Sequence, residues 1–155
     1  MLRYSGQDIL FREIPGEISL AFYITGCPHN CKGCHWTKYN IPNDQEQFDV
    51  LNISHIEDQL YKYSGFISNV LFFGGDWEPE ILEQMAIFIK NYKLKTSLYT
   101  GLTMVELADS CITWNCWDYI KFGPWTGKPL SDKNTNQRLI DIKNNKDITH
   151  KFWRD

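Results

Sequence analysis

Glu17-Ile18-Ser19-Leu20-Ala21-Phe22-Tyr23-Ile24-Thr25-Gly26-Cys27-Pro28-His29-Asn30-Cys31-Lys32-Gly33-Cys34 is the stretch from which the rest of the chain is read. Its first half is an apolar run of the length of one buried strand, and Gly26 ends it. Its second half places three cysteines within eight residues, spaced C-x3-C-x2-C. A buried strand that delivers a thiol-rich loop to its carboxyl end suits an α/β architecture, where ligands gather at that edge of the sheet.

Working outward, short apolar runs alternate with segments of helical period. Ser54 and Glu57 have the spacing of a capping box, Ile56, Leu60 and Tyr63 share one helical face, and Gly65 is a stop signal. Asn69 to Phe73 reads as a second strand, broken by Gly74-Gly75-Asp76. Pro79 suits a first helical turn, and Ile81, Leu82, Met85, Ile89 and Tyr92 follow at helical spacing. Glu80 and Glu83 near the start of that segment and Lys90 near its end complement the macrodipole. Lys95 to Tyr99 is a third strand, Thr103 and Glu106 open a short helix ending near Asp109, and Asp118 to Phe122 is a fourth strand. Arg138 to Ile142 and Ile148 to Phe152 are late strands or an irregular tail. The alternation implies an α/β protein with a mostly parallel sheet and right-handed crossovers. The cysteine loop, the Gly74-Gly75-Asp76 turn, Thr100-Gly101 and Gly123-Pro124 each follow a strand, so they should meet on one edge.

A chain of 155 residues suits one domain, residues 1–155, whose core needs no disulfide staples. The formal charge of −3 offers no basic footprint for nucleic acid or an anionic membrane surface. Aromatic residues, at 15%, read as core filling rather than as a platform for stacked bases. Met1 to Asp8 has no basic segment followed by an apolar run, and no apolar stretch approaches the thickness of a bilayer. A cytoplasmic protein is expected, with five cysteines not paired as structural disulfides. Three of them in one short loop then point to metal or redox chemistry.

Three thiolates on such a loop can wrap one small metal centre, leaving a coordination position that no nearby cysteine fills. Structural zinc sites normally take four ligands, and so do ferredoxin-type clusters. His29 or His35 as a fourth zinc ligand, Cys111 or Cys116 closing the site from elsewhere, and a cluster with one open iron are all compatible with the spacing. Cys111 and Cys116, spaced C-x4-C beside Trp114 and Trp117, read as buried structural thiols.

The spacing of Cys27, Cys31 and Cys34 is that of the radical S-adenosylmethionine (SAM) superfamily signature. The segment Ile24-Thr25-Gly26-Cys27-Pro28-His29-Asn30-Cys31-Lys32-Gly33-Cys34-His35-Trp36 more specifically resembles the activating proteins of anaerobic ribonucleoside-triphosphate reductases. Phe73-Gly74-Gly75-Asp76 is similar to that family's Gly-Gly-Asp turn, and Tyr99-Thr100-Gly101 to its next strand end. Asn134-Thr135-Asn136-Gln137-Arg138 is similar to a Ser/Asn-Gln-Arg segment near its C-terminus. These pieces fall in the family's order and span most of the chain. Many superfamily members carry an aromatic residue before the third cysteine; Gly33 stands there, as in the reductase activases, and His35 stands where those commonly have an aromatic.

The resemblance implies a small partial (β/α) barrel with one 4Fe–4S cluster on Cys27, Cys31 and Cys34. SAM would chelate the open iron, and its reductive cleavage to a 5′-deoxyadenosyl radical would generate a glycyl radical on the anaerobic ribonucleoside-triphosphate reductase. A flavodoxin or ferredoxin would supply the electron. On the same basis Gly33 and His35 lie against SAM through backbone groups, while Gly74 and Gly75 let the backbone approach its methionine end. Asp76 meets the ammonium or caps the next helix, and Thr100 and Gly101 contact SAM or merely turn the chain. Lys121 is a site residue or a solvated lysine; Tyr99, Trp77 and Trp125 wall the site or fill the core. The Asn136-Gln137-Arg138 segment contacts the partner, SAM or its own fold. A short chain without cysteine-rich inserts fits the reductase branch better than the formate-lyase or diol-dehydratase branches. The alternatives are another small radical SAM enzyme acting on a small molecule, and a non-catalytic zinc or iron–sulfur module.

Overall fold

The computed structural model describes residues 1–29 and 45–153. The four apolar runs become adjacent strands: β2 (Ser19–Ile24), β4 (Asn69–Phe73), β5 (Lys95–Tyr99) and β6 (Tyr119–Phe122), paired in parallel in that order. Four further strands flank them antiparallel: β1 (Arg3–Leu10) and β3 (Asp49–Val50) on one side, β7 (Arg138–Asp141) and β8 (Lys146–Asp147) on the other. The sheet order is β3-β1-β2-β4-β5-β6-β7-β8. The sheet is therefore mixed, and the expectation of a mostly parallel one holds for its centre only.

Helix α1 (Ile53–Lys62) lies between β2 and β4 in the chain, α2 (Pro79–Lys90) between β4 and β5, and α3 (Met104–Asp109) between β5 and β6. The three crossovers advance the same way along the sheet. Right-handed connections that never reverse must deposit their helices on one face. Packing agrees. Ile56 and Leu60 of α1, Leu82, Met85, Ala86 and Ile89 of α2 and Leu107 of α3 share one core with Leu20, Phe22, Val70, Phe72, Leu98, Ile120 and Phe122. The alternate strand positions Ala21, Leu71, Tyr99 and Tyr119 point to the opposite face. There they meet Ile14, Leu139 and Ile148 rather than a helix.

Aromatic residues fill the helical side, as their abundance suggested. Phe22 and Phe72 stack with centroids 5.8 Å apart, and Trp117 meets Phe72 edge-on at 6.0 Å. A buried polar ladder crosses the parallel strands: Asn69 donates to Ser19 Oγ at 2.9 Å, and Ser97 donates to Asn69 Oδ1 at 2.7 Å. A slip of one residue would strand all three polar groups in the core, so the ladder pins the register of β2, β4 and β5. Their carboxyl ends consequently finish level.

Several local expectations needed correction. The N-cap of α1 is Asn52, whose Oδ1 accepts from the His55 N–H at 2.9 Å, and Ser54 lies inside the helix. With Asn52 as cap, the helix begins two residues earlier than the Ser54–Glu57 capping box placed it. Thr103 does cap α3, accepting from the Glu106 N–H at 3.2 Å. Of the two readings given for the late segments, Arg138–Asp141 is a strand, whereas Ile148 to Phe152 is not and ends in a short 3-10 turn (Thr149–Phe152). Strand β1 was not read from sequence, because Arg3 to Leu10 contains Gly6 and Asp8 and lacks a clean two-residue period. It is held by β2 on one side and β3 on the other, with a register irregularity near Gly6.

Asn52→Ala should lower unfolding stability by about 1 kcal/mol in a denaturant titration, whereas Ser54→Ala should change it by much less.

Candidate functional site

The four parallel strands end at Ile24, Phe73, Tyr99 and Phe122, and the loops that follow are stitched together by backbone bonds. Gly74 N–H donates to Tyr99 O at 2.9 Å, Thr100 N–H to Lys121 O at 2.9 Å, and Gly123 N–H to Leu102 O at 2.7 Å. Between these loops lies an open cavity. Cys27, His29, Gly74, Asp76, Thr100, Gly101, Lys121 and Gln137 all line it, with Trp77, Tyr99 and Trp125 as aromatic walls. The expectation that the strand-end motifs meet on one edge is met for the described residues. Cys31, Cys34, Gly33 and His35 lie outside the described residues.

Asp76 is the most constrained group in this cavity. Its side chain is only 3% exposed, and Oδ2 accepts from His29 Nε2 at 2.9 Å. Its other oxygen, Oδ1, is buried without a hydrogen-bond partner among the described residues. The cap of the following helix is taken by Glu78, which makes no side-chain capping bond, so Asp76 is not the N-cap of α2. The Asp76 hydrogen bond raises the His29 pKa, against a smaller opposing effect of burial. A buried carboxylate with one bare oxygen calls for a cation or a strong donor.

The glycines serve different needs. Gly74 (φ +94°) leaves room for the Trp77 indole, 3.1 Å from where a Cβ would stand. Gly75 (φ +105°) does not line the cavity; it is pressed against Leu82 and Leu2 of the core. Its glycine is required by packing and by its backbone angle. Gly101 is covered by the His29 ring, with Cδ2 at 3.6 Å from a notional Cβ. Thr100 is buried, and its Oγ1 accepts from the Leu102 N–H at 3.1 Å.

The Lys121 ammonium stands 4.7 Å from the centroid of the Tyr99 ring. Burial pushes the Tyr99 phenol far above its ordinary range, and its O–H donates to the Glu13 carbonyl. In the Asn136-Gln137-Arg138 segment each residue has its own partner. Asn136 Nδ2 donates to Pro124 O at 3.0 Å, and Gln137 Nε2 donates to Gly123 O at 3.3 Å from a buried position on the cavity wall. Arg138 faces Asp147 at 3.7 Å on the surface. Sequence reasoning gave His29 only a zinc-ligand role and left Gln137 undecided; a histidine two places beyond Cys27 was the available signal.

Cys116 sits at the opposite edge of the sheet, where its carbonyl accepts from Thr96 Oγ1 at 2.8 Å near the start of β5. Cys27 follows the far end of β2, so a strand length separates them, roughly 15 Å at the usual rise. Cys116 is half-buried, and Cys111 is exposed rather than buried as expected. No helix among the described residues is long and apolar enough to cross a membrane.

A strand-end cavity that receives the first thiol of a three-cysteine loop is the geometry of a cofactor-binding α/β domain. The chain matches the family model described as the 4Fe-4S single cluster domain over residues 15–149, and it belongs to that family. No curated protein and no solved structure matches it. The family match favours iron–sulfur chemistry over the zinc reading of the cysteine loop.

Anaerobic reconstitution should give a brown protein with about four irons per chain. A colourless protein retaining zinc under those conditions would contradict the family's chemistry.

Proposed function

We propose that this protein is a radical SAM activase whose single 4Fe–4S cluster is held by Cys27, Cys31 and Cys34, with SAM on the fourth iron. The reading is carried by one observation: Asp76, whose buried Oδ1 has no partner among the described residues, lines the same cavity as Cys27. A carboxylate oxygen with no donor, next to a thiol of the cluster motif, suits the ammonium of an amino-acid moiety. A sheet whose α-helices, among the described residues, pack on a single face further suits a small partial barrel.

In this reading the chain's own residues position rather than react. Cys27 fixes one corner of the cluster at the carboxyl edge of β2. Asp76 would receive the SAM ammonium, and Lys121, which lines the same cavity, would meet the carboxylate. Thr100 and Gly101 line the same cavity, Gly101 behind the His29 ring, and Trp77 with Trp125 would exclude water from the ligand. Gly33 and His35 flank the last cysteine and would contact SAM through their backbone. When bound, the reduced cluster and SAM together supply one-electron cleavage of the sulfonium carbon–sulfur bond, giving methionine and a 5′-deoxyadenosyl radical that takes a hydrogen atom from a glycine.

The proposed partner is an anaerobic ribonucleoside-triphosphate reductase carrying that glycine, with flavodoxin or ferredoxin as the one-electron donor, in the cytoplasm. A glycine within a folded partner has to reach the cavity, and a sheet of this size carries few elements to close it off. No nucleic-acid or membrane role is part of the proposal.

Two measurements decide the reading. SAM should change the electron-paramagnetic signal of the reduced cluster, and a mixture with the reductase, reductant and SAM should yield a glycyl radical. A signal indifferent to SAM would overturn the proposal; SAM cleavage that needs a small molecule and no protein would redirect it. Cys27→Ala, Cys31→Ala and Cys34→Ala should each abolish reductive SAM cleavage, while Cys116→Ala should leave it intact. Loss of the cluster in Cys116→Ala, as complete as in Cys31→Ala, would fill the open position with a protein ligand.

A further inference from the structure

We infer that Asp76 has a second task, distinct from any ligand contact: through the His29 ring it holds a backbone N–H on the sulfur of Cys27. The inference rests on the reading of Cys27 as a cluster ligand. His29 donates from Nε2 to Asp76 Oδ2 at 2.9 Å, which fixes the far end of its ring. The near side of the same ring lies on Gly101, with Cβ, Cγ and Cδ2 all within 3.9 Å of a notional Cβ. Held at both places, the His29 backbone directs its N–H to Cys27 Sγ at 3.5 Å.

The two oxygens of Asp76 therefore differ. Oδ2 is engaged by the protein, and Oδ1 is buried without a hydrogen-bond partner among the described residues. Hydrogen bonds to a ligating sulfur favour the more negative, reduced cluster and raise its potential. His29 and Asp76 are positioning residues in this scheme, because neither needs to touch the reacting atoms to act on the sulfur. Gly101 belongs to the same device: the His29 side chain lies over it at a distance where a Cβ would make ordinary van der Waals contact.

The test uses His29→Ala and His29→Gln, since a glutamine amide can donate to Asp76 from a similar reach. In cluster-free protein without SAM, the amide of residue 29 should exchange its hydrogen roughly tenfold faster in His29→Ala, and His29→Gln should restore protection. In reconstituted protein without SAM, the cluster of His29→Ala should titrate at a more negative potential, again restored by His29→Gln. Wild-type exchange and wild-type potential in His29→Ala would overturn the inference, as would a His29→Gln no better than Ala. The exchange measurement needs neither cluster nor SAM. Retention of the iron by Cys27→Ala would instead defeat the reading of Cys27 as a ligand, so the two failures are told apart.

Discussion

A carboxylate taken out of water must be answered on both oxygens, and among the described residues Asp76 is answered on one. Removing the partner of a buried charge costs roughly 3–5 kcal/mol in proteins. His29 meets part of that demand at Oδ2, while the buried Oδ1 has no partner among the described residues. The cost is tolerable where a ligand completes the pair, which is why such groups concentrate at functional sites. The same carboxylate joins the turn after β4 to the chain just beyond Cys27, so a ligand at Oδ1 and the thiol at Cys27 are not independent. Gly101 and the His29 ring extend this link to the loop after β5.

The placement of these groups follows from the register of the parallel strands. The Ser19–Asn69–Ser97 ladder locks β2, β4 and β5 near their amino ends. Period-two alternation then sends Phe22, Phe72 and Leu98 to the helices and Ala21, Leu71 and Tyr99 to the other face. Past the last strand residues, the bonds from Gly74 to Tyr99, Thr100 to Lys121 and Gly123 to Leu102 continue the alignment into the loops. At Gly123 (φ +109°) a Cβ would meet the backbone of Asn136 and Gln137 at 3.1 Å, so the segment before β7 seats closely on this turn. Gln137 reaches the cavity wall by this route.

The parallel centre was legible because β4 and β5 are uninterrupted by charge within their buried positions and each ends at a glycine or threonine turn. The flanks were not. Arg3 to Leu10 forms a strand through pairing on both sides, a tertiary effect that overrides a sequence with Gly6 and Asp8 in it. At the site, the meeting of Gly74, Asp76, Thr100 and Gly101 could be read from their strand-end positions. The burial of Gly75 against Leu82 could not, since adjacent glycines look alike until a fold gives them different faces. The exposure of Cys111 and the distant seat of Cys116 were likewise invisible in a C-x4-C spacing. The His29–Asp76 contact spans 47 positions and has no local signature.

The central claim is that one iron of the cluster has no protein ligand and accepts SAM. Mössbauer spectroscopy of iron-57 protein reports each iron's coordination directly. With SAM added, one iron of the four should move to a separate, higher-coordinate signal while the other three keep theirs. Four irons whose spectrum is the same with and without SAM would contradict the account.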